Sequence, residues 1–267
     1  MTSTYVRTFA LALLLAAQAA TGQSSNDADQ RLRSLYTAEW DWRQKEFARE
    51  PGQVGRGAAA DHLPRVDAAS QQKRLEYWQK ALADLDKIPL AQLSPEEKLN
   101  AQIFRAVLEE QIVDVRYKLY EAPFNADTFF WTNFTPREGY ATADEYRRYL
   151  GRLRDVPRYF DEQIVNMRAG LARGFTVPKV SVTGRDRTIE PYLKADETNP
   201  LYLAFVTLPP MIPADEQDRM RAEARSIIAE RIVPAYSKLL DFMRKEYLVR
   251  APIWRSEERR VGKECRS

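Results

Sequence analysis

The chain is poor in the residues from which active sites are most often built. Its 267 residues include one cysteine, Cys265, and one histidine, His62. A single cysteine excludes an internal disulfide framework and a cysteine-based zinc site. A single histidine excludes the HExxH motif and every site that needs two imidazoles. Glycine is also scarce, ten in all, which disfavours folds rich in tight turns. No GxSxG elbow occurs, and the glycines between Gly52 and Gly57 stand in the wrong order for a phosphate loop. Beyond the N-terminal leader, no run is apolar enough to span a membrane.

What is present describes a globular chain. Hydrophobic residues make up 44% and charged residues 30%, enough for a sizeable core and too apolar for disorder. The formal charge of +3 comes from the two ends. Residues 1–22 read as a secretory signal peptide: Arg7 is the positive region, and Phe9 to Ala20 is an apolar run of about twelve residues followed by small ones. That run is short against the roughly 20 residues of a spanning helix. The expectation is export to the periplasm or the medium, with no membrane span in the mature chain. At the other end, Arg255–Ser267 (RSEERRVGKECRS) resembles one translated frame of a common sequencing adapter, and the expectation is an artefact tail. Between Gln23 and Trp254, acidic and basic residues balance, so net charge points to no nucleic-acid partner.

Helical periodicity fills the interval between these ends. Leu32, Leu35, Tyr36, Trp40 and Phe47 form a rough stripe in a first helix. A Gly/Pro loop carrying His62 leads to a second helix, capped by Ser70, with Leu75, Trp78, Leu82 and Leu85. Ser94-Pro95-Glu96-Glu97 is a capping box with proline at the first helical position. It predicts a helix whose apolar face is Leu99, Ile103, Val107, Leu108, Ile112, Val115 and Leu119. Thr142 with Glu145 is a second capping box. Pro157 reads as the start of a further helix ending at Gly174. Phe175 to Thr183 alternates and suggests a strand. Asp215 opens a last long helix, which Pro234 should kink. The expected fold class is mostly α, an irregular multi-helix array, with one short strand or hairpin near 175–190.

Few residues here offer chemistry. His62 has neighbouring carboxylates at Asp61 and Asp67 but no activated nucleophile in the sequence pattern, so it reads as a structural or solvated loop residue. Glu96, Glu97, Glu109, Glu110 and Asp114 read as a solvated helix face with capping duties. No spacing singles out a carboxylate pair for glycoside hydrolysis. Asn133-Phe134-Thr135 is a three-residue glycosylation match that matters only in a eukaryotic secretory pathway. The irregular aromatic segment can pack as core or line a cleft, and Phe129, Phe130, Trp131 and Tyr140 are the cleft-lining candidates.

Three stretches carry a resemblance. They are Tyr149 to Pro157, Met167 to Pro178, and Val233 to Phe242 with Tyr247. Together they resemble the domain of unknown function 885 family, and the likeness extends over Gln23 to Trp254. What the resemblance implies is an exported, mostly helical, zincin-like metallopeptidase about twice as long as this chain. Such a protein carries a downstream HExxPGHH-like helix that binds zinc, with a glutamate as general base. No position here matches that motif, so no catalytic or metal residue transfers. The expectation is an N-terminal part, inactive alone, whose partners are the C-terminal half of its own polypeptide and, in the whole enzyme, a peptide substrate. Zinc is expected in that longer parent and no cofactor in this part. The rival reading is a complete periplasmic helical binding or scaffold module that uses the aromatic segment for recognition. A non-metal hydrolase working through a carboxylate pair is a second rival.

Overall fold

The computed structural model describes residues 27–134 and 139–252. Residues 1–22, expected above to be a signal peptide, Thr135 of the glycosylation match and the tail 255–267 lie outside the described residues. Among the described residues the chain is mostly helical and contains no strand. These residues divide into two compact units, one of residues 27–42 and 72–117, the other of residues 43–71 and the described residues from 118 onward.

The first unit is built from α1 (27–46), α2 (Ala68–Asp86) and α3 (Pro95–Arg116), with unit boundaries falling inside α1 and α2. Its core joins Leu32, Trp78, Leu85, Phe104, Leu108 and Ile112. Trp42 stacks on Tyr77 with ring centroids 3.6 Å apart, and the Trp78 indole N–H donates to Glu39 at 3.2 Å. The start of α3 differs in detail from a reciprocal capping box. Ser94 accepts from the Glu97 N–H as expected, but the Ser94 N–H donates to Asp29 at 2.9 Å. The freed Glu97 carboxylate is buried and takes Arg33 at 2.6 Å. The buried face of α3 is also a correction. It consists of Glu97, Ala101, Phe104, Leu108 and Ile112, whereas Leu99, Ile103 and Leu119 are exposed. Apolar residues stand on both sides of this helix, and the predicted face joined the two: Leu108 and Ile112 are buried as expected, Leu99 and Ile103 are not.

In the second unit the long helix α4 (Ala143–Arg173) opens on the Thr142–Glu145 capping box and closes at Gly174, whose φ of 75° lies in the left-handed region. Pro157 does not start a new helix; α4 runs through it. The proline removes one backbone donor, but Val156 and Phe160 beside it are buried, and that packing holds both turns in line. The second unit also supplies the start of α2. There Asp67, and not Ser70, is the cap: its carboxylate accepts from the Ser70 N–H at 3.0 Å and hydroxyl at 2.9 Å.

The expected strand is absent. Pro178 leads into a single turn, α5 (Lys179–Val182), and a 3₁₀ stretch follows over Arg185–Leu193. The backbone donors that a strand partner would have taken go elsewhere: Val177 N–H to the Tyr247 hydroxyl at 3.0 Å, Lys179 N–H to the Pro252 carbonyl at 2.9 Å. A short turn, α6 (Leu203–Val206), precedes α7 (Ala214–Ile227), α8 (Val233–Phe242) and α9 (Leu248–Arg250). These last three are one continuous helix interrupted by π-helical turns at Ile228–Ile232 and Met243–Tyr247. The first π turn answers Pro234. The Val233 N–H reaches back five residues to the Ile228 carbonyl, so the ladder widens directly before the proline, which has no N–H to contribute. The ion pairs Arg147–Glu216, Arg154–Glu223, Lys238–Asp161 and Arg168–Glu246 occur in the same order along both helices, so α4 and α7–α9 run parallel. Between them lies an aromatic core in which Tyr236 stacks on Tyr192 and meets Phe160 edge-on.

Candidate functional site

The polar seam of the second unit begins with an unusual stretch of backbone. Residues 59–66 form no helix or strand, yet Leu63 and Val66 are buried, so their peptide groups need partners. Side chains along one stripe of α4 supply them. Arg148 donates to the Ala59 carbonyl at 2.7 Å, and Asp155 accepts from the Leu63 N–H at 2.9 Å. Arg158 donates to the Leu63 carbonyl at 2.8 Å. Glu162 accepts from the Val66 N–H at 2.8 Å, and Asn166 donates to the Val66 carbonyl at 2.7 Å. Gly151 faces Asp61 so closely that a Cβ would stand 2.4 Å from its carbonyl oxygen. The loop therefore lies on the helix as a strand would lie on a neighbour, with side chains in place of a second backbone.

Arg152 is the centre of the seam. Only 7% exposed, it donates to the Ala48 carbonyl at 2.7 Å, to the His62 carbonyl at 2.9 Å and to Glu50 at 3.2 Å. Burial lowers the affinity of this guanidinium for its proton, and Glu50 opposes that. Beside it lies a cavity of about 30 Å³, the volume of a single water, lined by Glu50, Asn133, Phe134, Tyr140, Tyr149, Arg152 and Leu153. Burial raises the phenols of Tyr140 and Tyr149, so both are neutral hydroxyls at physiological pH. The Tyr149 hydroxyl donates to the Leu201 carbonyl at 3.2 Å. One paired cation, one paired carboxylate and two neutral phenols around a water-sized space can hold structure.

The sequence candidates fall on both sides of this seam. Tyr140 lines the cavity, and its ring meets Tyr146 and Tyr149 at centroid distances of 5.3 and 5.4 Å. Phe129, Phe130 and Trp131 are buried in the core. The Trp131 indole donates to the Thr188 hydroxyl at 2.9 Å, and its carbonyl accepts from Tyr236 at 2.5 Å. His62 contributes its carbonyl to Arg152, while its ring is exposed beside Asp61, with Nδ1 to Oδ1 at 3.0 Å. The seam itself escaped the sequence reading. Its signal was the stripe Arg148, Arg152, Asp155, Glu162 and Asn166, polar residues three, four and seven apart on a helix whose other face is apolar.

The first unit has one further concavity, an open groove lined by Asp27, Gln30, Arg31, Ser34, Leu35, Asp84, Lys87 and Ile88. Lys80 and Lys87 hold the Asp84 carboxyl down at about 2. Among the described residues, no group of three His, Cys, Asp or Glu side chains is arranged to hold a metal, so they do not fit a zinc centre. No helix of the described residues is long and apolar enough to cross a membrane.

Comparison with known proteins gives two matches. A family described as "Bacterial protein of unknown function (DUF885)" matches residues 50–265, a span that takes in most of the tail. Among solved structures, the chain is similar to "the putative lipoprotein from Colwellia psychrerythraea", at 13% sequence identity and a TM-score of 0.66. The likeness covers 84% of this chain and 42% of that one, so the chain spans less than half of that protein's length. No curated protein matches.

Proposed function

This chain belongs to the DUF885 family of bacterial proteins, and from that premise we propose that it is the non-catalytic, helical N-terminal part of an exported hydrolase. In this reading the parent is a zincin-like metallopeptidase. Its zinc would sit in residues beyond this chain and activate a water for peptide-bond hydrolysis. The observation that carries the reading is coverage: most of this chain matches a fold of which it spans 42%. One feature agrees with it: the polar seam of the described residues is spent on holding a loop to α4.

The part supplied here is a framework. Tyr140 and Phe134 form one wall beside the seam, and Phe129, Phe130 and Trp131 brace that wall from the core. Export rests on residues 1–22, whose charge and apolar run have the form of a cleavable leader, and the solved neighbour's description as a lipoprotein is in keeping with it.

The test is the genomic sequence downstream of codon 254, followed by purification of the encoded protein from a periplasmic extract. The expected product begins near Gln23 by mass spectrometry, carries zinc by elemental analysis and hydrolyses peptides until a chelator is added. A longer protein without zinc, or one whose peptidase activity survives chelation, overturns the metallopeptidase reading. A stop codon close behind codon 254 supports the complete binding or scaffold module instead.

A further inference from the structure

We propose that the outward face of α3 is a docking surface for an amphipathic helix whose apolar face is bordered by lysine or arginine. The inference rests on α3 alone and is independent of the metallopeptidase reading. This helix is apolar on two opposite sides. The inward side, Ala101, Phe104, Leu108 and Ile112, is buried in the first unit's core. On the outward side, Leu99 is 57% exposed, Ile103 54% and Val113 46%, with the exposed Ala106 between them. At about 100° per residue these four lie within one narrow stripe running the length of the helix. Single exposed apolar residues are ordinary, but a line of them one or two turns apart has the form of a helix-packing seam.

The charges along that stripe supply the second argument. Glu96, Glu110 and Asp114 border or interrupt it, and none of the three forms an ion pair among the described residues. Three other carboxylates of the same unit have cationic partners: Asp84 has Lys80 and Lys87, Asp86 has Arg105, and Glu97 has Arg33. Glu110 and Asp114 stand four residues apart, a spacing at which like charges disfavour a helix. Burial, and then Glu110, hold the Asp114 carboxyl above its ordinary range. The face is thus uncompensated in both respects, apolar area and negative charge.

A helix carrying apolar side chains between lysines or arginines would satisfy both. A second copy of this chain would not, because a symmetric pairing sets the same carboxylates against each other. An anionic lipid surface would be repelled for the same reason.

The test uses the full 267-residue chain and a labelled synthetic helix with leucine and alanine on one face and lysines along its borders. Fluorescence anisotropy should show saturable binding. It should weaken about tenfold for Glu110→Gln/Asp114→Asn and vanish for Leu99→Asp/Ile103→Asp. The same helix with glutamates in place of the lysines should not bind. These residues are on the surface, so circular dichroism should show every variant folded. Equal binding of both helices, undiminished binding to Leu99→Asp/Ile103→Asp, or no binding of the lysine helix overturns the proposal. Self-association in sedimentation, abolished by Leu99→Asp/Ile103→Asp, would overturn it in favour of a second copy.

Discussion

Arg152 satisfies the buried carbonyl of Ala48 and the part-buried carbonyl of His62, so its value lies in what its loss would leave behind. Replacing it by methionine keeps the stem and strands the Ala48 and His62 carbonyls. Leaving such groups unpaired costs about 1–3 kcal/mol apiece, so Arg152→Met should lower the unfolding free energy by about 2–4 kcal/mol. Arg219, exposed and paired with Asp215 one turn away, provides the contrast: its replacement by alanine should change stability by less than about 0.5 kcal/mol. Urea denaturation followed by tryptophan fluorescence measures both, and equal effects would refute the account of the seam. Asp67 makes a prediction with a pH signature. Burial alone would raise its carboxyl, but the Ser70 N–H and hydroxyl, with Arg65, outweigh burial and hold it at about 2. A depressed carboxyl contributes stability above its unfolded value of ~3.9 and loses that contribution as pH falls. Asp67→Ala should therefore cost about 1 kcal/mol at neutral pH. The gap between variant and parent should narrow as pH falls from about 4 toward about 2. A gap constant across that window would mean that the cap acts without its charge.

At the scale of elements, α4 organises the second unit, and its two glycines show how. In an exposed helix, glycine to alanine gains about 1 kcal/mol. At Gly170 an added Cβ would stand 2.6 Å from the Phe175 carbonyl oxygen and 2.7 Å from that of Glu121, both backbone atoms. Gly170→Ala should therefore reverse the ordinary sign and destabilise by about 1–3 kcal/mol. A higher melting temperature for that variant would count against the close crossing. The helices were also where sequence reasoning worked best and erred most instructively. Ser94 and Thr142 both cap at their predicted positions, because a cap is a local contest among a few peptide groups, but only Thr142 and Glu145 close the reciprocal box. The buried side of α3 was misjudged because Leu99 and Ile103 are as apolar as Leu108 and Ile112, and only the neighbouring helices select between them. The strand at Phe175–Thr183 failed for a related reason. Alternation is a weak signal over so few residues, and Tyr247 and Pro252 took the donors that a ladder needs.

At the scale of the molecule, each unit has its own hydrophobic core, and the charge between Gln23 and Trp254 is balanced. Ion pairs are numerous but mostly exposed, and so contribute little each. The larger stabilising term is burial of the aromatic core around Trp131, Phe160, Tyr236 and Tyr247. With balanced charge, residues 23–254 should pass through a heparin column at physiological salt without retention. Retention that weakens steeply with added salt would point to a basic surface hidden by the balance.

Composition and periodicity by themselves determined the helical class, the capped starts of α3 and α4 and the exclusion of a histidine or cysteine metal centre from this chain. These depend on local backbone preferences and on residue counts, which need no partner to be defined. Only the tertiary structure decided which face of α3 is buried, that α4 passes through Pro157, and that Arg152 and its stripe hold residues 59–66. Each of those depends on groups far apart in sequence meeting in space: Arg152 lies 90 residues from His62. The sequence shows that α4 has a polar stripe, but only the fold shows which backbone that stripe satisfies.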